Sequence, residues 1–239
     1  MRAPAPCAAL AGALLLFALP AEAQSERLSK TYDNGGVYEG EFLDGRQHGS
    51  GTYRLPNGYE FTGDWVEGRI QGEGRATFPD GSVYTGSFVD GDPEGQGRIV
   101  YADGGTYEGG WRAGLVHGQG VATYANGMRY EGAFADGAQS GIGTLTDPDG
   151  HLYEGEWVAG VKQGQGRITY PDGAIYEGDI VAGQPDGNGA FTSADGTRYE
   201  GAWKDGRIAG EGILIEPDGT RYEGAFAEGR RQGLGRTVA

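Results

Sequence analysis

Apolar and polar residues alternate along most of this chain with a period of two, and glycine interrupts the alternation at fixed places. In the stretch Tyr153–Ile175, Tyr153, Gly155 and Trp157 fall on one face, with Glu154 and Glu156 on the other. After a glycine-bounded loop, Gly166, Ile168 and Tyr170 share a face while Arg167 and Thr169 point away. Asp172-Gly173 then supplies turn chemistry that tolerates positive φ, a strong hairpin signal. The stretch predicts two short antiparallel strands, and the next stretch continues the meander. Nothing in this text favours a helix.

The pattern recurs every 23 residues without insertion or deletion. Aromatic-x-Gly starts a copy at Tyr38, Phe61, Tyr84, Tyr107, Tyr130, Tyr153, Tyr176, Tyr199 and Tyr222. A fixed period of this length signals an array in which each unit buries its apolar face against its neighbours. The predicted fold is all-β: an elongated, single-layer antiparallel β-hairpin (meander) repeat array, twisted, with no helical domain. Two strands per copy at ~4.8 Å give ~10 Å per repeat and ~80–90 Å in all, long enough to require twist. Tyr32–Val37 matches the end of a repeat, which places the array at 32–239 and leaves 24–31 as a short tether. Of 49 glycines, 44 sit at five repeat positions. Glycine is therefore positional here, and disorder is a poor reading of it. The glycine between two aromatics leaves a gap for large neighbours from adjacent strands. Those at the loop (Gly160, Gly164) and the turn (Gly173) serve backbone angles that other residues reach only with strain.

The spacing Tyr-x-Gly-x-(Trp/Phe)-x-x-Gly-x-x-x-Gly-x-Gly, read as Tyr107-Glu108-Gly109-Gly110-Trp111…Gly114…Gly118-Gln119-Gly120 in the fourth copy, resembles the MORN repeat, the membrane occupation and recognition nexus. Departures are few. Phe61-Thr62 replaces Tyr-Glu, and Ile180 replaces the Trp/Phe of the seventh copy. Asp147, Ser193 and Glu216 stand where Phe78, Tyr101, Tyr124 and Tyr170 occur in other copies. The resemblance implies a protein-interaction or membrane-proximal scaffold. In larger proteins such arrays accompany kinase, methyltransferase or membrane-anchor segments, and none of these is read in these 239 residues.

The N-terminus is a different text. Arg2, the apolar run Ala8–Leu19, Pro20 and the small-x-small triplet Ala21-Glu22-Ala23 have the layout of a secretory signal peptide over 1–23, cleaved after Ala23. The run is shorter than the roughly 20 residues of a membrane span. A periplasmic or secreted protein follows, with no cysteine left after cleavage, since Cys7 is the only one. The net charge of -15 works against nucleic acid and disfavours anionic membrane lipid.

Candidate chemistry is that of binding. Tyr84, Phe88, Tyr101, Tyr107, Trp111, Tyr124, Tyr130 and Phe134, continued by Tyr153, Trp157 and Tyr170, fall on one side of neighbouring copies. They either pack on one another as the available core or leave an exposed face for an extended peptide, a coiled coil or a glycan. Equivalent acids in successive copies lie ~10 Å apart, too far to share an ion. His48 and His117 are three copies apart and share no metal, and no Ser/His/acid grouping or phosphate-cradling loop occurs. The reading is a non-enzymatic scaffold with no catalytic residues, no cofactor and no metal, recognising a protein partner along the array. The alternative is recognition of a cell-envelope glycan or a membrane surface by the aromatic face. The C-terminal edge strand either pairs with a second copy as a homodimer or is blunted by Arg230, Arg231 and Arg236.

Overall fold

The computed structural model describes residues 25–238, so the segment read as a signal peptide lies outside the described residues. Nineteen antiparallel strands form one sheet, each paired with the next in sequence. The sheet opens with β1 (Glu26–Thr31), β2 (Val37–Leu43) and β3 (Arg46–Arg54). Two strands per repeat follow to β18 (Arg221–Ala227) and β19 (Arg230–Val238). The sheet begins earlier than Tyr32: residues 26–31, read as a tether, form β1 and pair with β2 from Glu26↔Phe42 to Thr31↔Val37. The reason is that the outer edge of β2 carries backbone donors and acceptors that need partners, and this segment supplies them at no cost in burial, since all its residues stay exposed.

The sixth repeat shows how a unit closes. Its strands, β12 (Leu152–Val158) and β13 (Val161–Thr169), are joined by the two-residue turn Ala159-Gly160, with φ of 48° and 82°. Positive φ at both positions defines a type I′ turn, whose twist matches that of the flanking strands. The second strand thus starts at Val161, before Gly164. Gly164, at φ 90°, lies inside the strand, at a bulge where Glu156 alone faces three residues between the pairs Gly155↔Gly166 and Trp157↔Lys162. A Glu156 carboxylate oxygen accepts from the Gln165 amide at 3.0 Å and caps the bulge. Asp64 and Asp179 do the same in the second and seventh repeats.

The Pro-Asp-Gly segment makes the other connection. The Gly173 amide donates to the Tyr170 carbonyl at 2.9 Å, the Tyr170 amide to the Ala174 carbonyl at 2.8 Å, and Asp172 accepts from the Ala174 amide at 3.0 Å. Asp172 thus closes an Asx-type turn at the Asp-Gly pair. The I′ turns also stitch repeats together: the Gly160 amide donates to the carbonyl of Gln139 in the preceding repeat. Pro93 and Pro185 occupy Gln139's position in their own repeats and lose nothing, because only the carbonyl is used.

Candidate binding face

The first aromatic of each repeat sets the geometry of the face. A glycine two residues on pairs across the strands with a glycine of the same repeat and another of the preceding one, as in Gly97↔Gly109↔Gly120↔Gly132. This row runs unbroken from Gly40 to Gly235. Side chains on these glycines would point toward the aromatic face, and the first aromatic of the same repeat fills the space instead. A Cβ on Gly120 would lie 2.5 Å from the Tyr107 hydroxyl, and one on Gly97 2.2 Å from that of Tyr84. The gap expected for neighbouring strands is therefore occupied by the repeat's own tyrosine, lying flat on the bare backbone. Its hydroxyl donates to the carbonyl three residues on: Tyr84 to Ser87 at 3.1 Å, Tyr107 to Gly110 at 2.8 Å, Tyr153 to Glu156 at 2.8 Å.

The second aromatic stands edge-on against two such rings. Trp111 meets Tyr84 at 5.0 Å and Tyr107 at 5.4 Å between centroids, and Phe134 meets Tyr107 and Tyr130 at 5.0 Å. Each tryptophan also donates its indole N–H to a glycine carbonyl of the preceding repeat, as Trp111 does to Gly97 at 3.2 Å. Burial pushes the Tyr84, Tyr107, Tyr130 and Tyr153 hydroxyls up to about 12.

This packing divides the residues read from the sequence as one face. Tyr84, Phe88, Tyr107, Trp111, Tyr130, Phe134, Tyr153 and Trp157 are buried and form the core. Tyr101 and Tyr124 remain 40% and 37% exposed, and Tyr170 is half-buried. The accessible surface is a second row, carried by the residue just before each Asp/Asn-Gly turn, and Phe78 belongs to it. Three consecutive clefts share its rings as walls. One of about 440 Å³ lies between Tyr59, Phe78, Ile99 and Tyr101. One of about 370 Å³ lies between Tyr101, Val116 and Tyr124, and one of about 540 Å³ between Tyr124, Met128, Leu145 and Lys162. Tyr59, Val116 and Met128 were not singled out from the sequence. Their positions hold different residue types in different repeats, so periodicity alone gives them no weight.

Asp147 interrupts the rings of the second row, which return at Tyr170. Each position in the row faces a fixed partner position in the next repeat. Tyr32 and Tyr124 accept from Gln47 and Gln139 at 2.6 and 2.5 Å. Tyr101 and Val116 wall one cleft, and Phe78 and Pro93 another. Glu216 bonds Arg231. Asp147 is matched by Lys162, whose ammonium lies 4.8 Å from the Tyr153 ring centre and 5.9 Å from that of Trp157. Burial lowers the Lys162 pKa, and the charge of Asp147 opposes the shift.

The opposite face is polar. Its recurrent glutamates pair with arginines, including Arg98–Glu108 at 3.8 Å, Arg167–Glu177 at 3.4 Å and Arg221–Glu223 at 2.7 Å, all well exposed and each worth little. A cleft of about 540 Å³ there carries Glu177, Glu200, Glu211 and Glu223. Among the described residues, no group of three or more His, Cys, Asp or Glu is placed to hold a metal ion, and no helix is long and apolar enough to cross a membrane.

The family model of the MORN repeat matches nine consecutive segments, from 38–58 and 61–83 through to 222–238. The chain belongs to the MORN repeat family, in nine tandem copies. No curated protein sequence matches it. Among solved structures, it is similar to the TCP10 domain of Danio rerio CPAP at 12% identity and TM-score 0.47, over 83% of this chain and 94% of that one. It is also similar to the TCP domain of Drosophila melanogaster SAS-4 (dCPAP), in complex with a proline-rich motif of Ana2, at 19% identity and TM-score 0.41, over 62% and 81%. At these scores the likeness carries no argument about what this chain binds.

Proposed function

We propose that this chain is a non-enzymatic scaffold, exported with cleavage after Ala23, that recognises a partner protein through the clefts between Phe78 and Met128. The observation that carries the reading is the split of the aromatics. A single-layer sheet has spent one row of rings on its core and leaves Tyr101 and Tyr124 exposed as walls of consecutive apolar clefts. Exposed, contiguous apolar surface of this kind marks interaction sites. The partner lies as an extended segment across the strands, and the acidic surface, with its net charge of -15, selects neutral or basic chains over anionic lipid or nucleic acid.

The test is crosslinking of the tagged full-length protein in its native host, followed by mass spectrometry of the mature N-terminus and the attached neighbours. A start at Gln24 with one enriched protein, lost in the Tyr101→Ala/Tyr124→Ala double variant, is the expected result. A start at Gln24 with cell-wall saccharide fragments alone overturns the protein reading in favour of glycan stacking on the same rings. A retained N-terminal segment overturns the cleavage.

A further inference from the structure

We propose that the occupant of these clefts is a proline-rich segment in polyproline II conformation, with its basic residues toward the Phe78 end; this rests on the protein-recognition reading above. The first ground is pitch. Phe78, Tyr101 and Tyr124 hold the same position in successive repeats, so their rings recur every two strands, ~9.6 Å apart. A polyproline II helix repeats every three residues, ~9.3 Å, and presents the same edge to each ring. From Phe78 to Tyr124 the array advances ~19 Å, as do six residues of polyproline II. Other conformations miss. An α-helix brings the same face round after seven residues and ~10.5 Å, overshooting to ~21 Å over two repeats. A β-strand repeats its face every ~6.7 Å, so a strand in register with Phe78 passes Tyr101 out of register.

Two further features agree. Polyproline II carbonyls are unpaired and need donors. Tyr124 accepts from Gln139 and keeps its own hydroxyl proton to donate, in a cleft whose apolar walls are Met128, Leu145, Trp157 and Val161. Charge sets the direction. Asp92 lines the first cleft and Asp103 the second, and no lysine or arginine lines either. Lys162 stands in the third. Cationic side chains are favoured toward Phe78, where the acids stand without a lining cation.

Fluorescence anisotropy of a labelled oligoproline tests this, with about nine prolines for three turns and arginines at one end. The mature, full array is expected to bind it. Tyr101→Ala and Tyr124→Ala, at exposed positions, each weaken binding on the order of tenfold, while Tyr170→Ala, beyond Asp147, leaves it unchanged. Asp92→Asn weakens the arginine-bearing probe and not an uncharged oligoproline. A glycine-serine probe of the same length and charge does not bind. Equal binding of the two probes reduces the effect to charge and overturns the proposal, as does no binding, or binding indifferent to Tyr101 and Tyr124. If the crosslinked native partner still depends on Tyr101 while oligoproline fails, the conformation is wrong and the protein-recognition reading stands.

Discussion

Gly120 carries no side chain because Tyr107 occupies the volume one would need. Its backbone is not in the left-handed region, so the constraint is contact alone: a Cβ would sit 2.5 Å from the Tyr107 hydroxyl and 2.6 Å from its ring. Gly120→Ala is expected to cost roughly 2–3 kcal/mol in denaturant unfolding. Tyr107→Phe alone forfeits the bond to the Gly110 carbonyl, about 1 kcal/mol. Together they should cost less than the sum, because removing the hydroxyl opens part of the space; simple additivity would show that the two residues do not compete for it. The same tyrosines fix the alkaline limit. Burial raises Tyr38, Tyr84, Tyr107, Tyr130, Tyr153 and Tyr176 to about 12. A raised folded-state pKa means stability is intact below the unfolded value near 10 and is lost as pH climbs toward 12. A pH titration by circular dichroism should show cooperative unfolding in that window, and an array unchanged at pH 12 would contradict the burial.

At the scale of the strand pair, the informative unit spans two repeats: the last ring position of one and its partner in the next. Asp147 and Lys162 are the departure that closes the clefts. Lys162 lies half-buried over Tyr153 and Trp157, so Asp147→Ala, which leaves that cation without its counter-charge, is expected to destabilise by about 1 kcal/mol or more. Lys162→Met keeps the stem on the rings and removes the charge; it should be close to neutral. Equal losses from the two would place Asp147's role elsewhere. Two strands per copy, the meander order and the Asp/Asn-Gly turn were legible in the sequence, because the aromatic-x-Gly start and the Asp/Asn-Gly pair recur in register. The bulge at Gly164 was not, since a glycine looks alike in a loop and in a strand. Nor was β1: Glu26–Thr31 has no aromatic and joins the sheet by backbone pairing with β2. The two rows of rings looked like one because alternation gives the face of a residue and not its depth; only the glycine row, read across strands, shows which tyrosines lie down on the sheet.

At the scale of the whole array, the described residues form a single layer whose core is a chain of edge-on rings. That chain runs aromatic to aromatic from Tyr38 to Trp157, passes through Ile180, and resumes at Tyr176 and Trp203. What remains outside it at Phe78, Tyr101 and Tyr124 is the surface available to a partner. Tyrosine modification by hydroxyl-radical footprinting, read by mass spectrometry, tests this division most directly. Tyr101 and Tyr124 should label fastest, Tyr59 and Tyr170 more slowly, and Tyr38, Tyr84, Tyr107, Tyr130 and Tyr176 only on unfolding; a bound partner should protect Tyr101 and Tyr124. Comparable labelling of Tyr84, Tyr107 and Tyr101 in the folded protein would mean that the rings form one open face, and the account of core and cleft would fall.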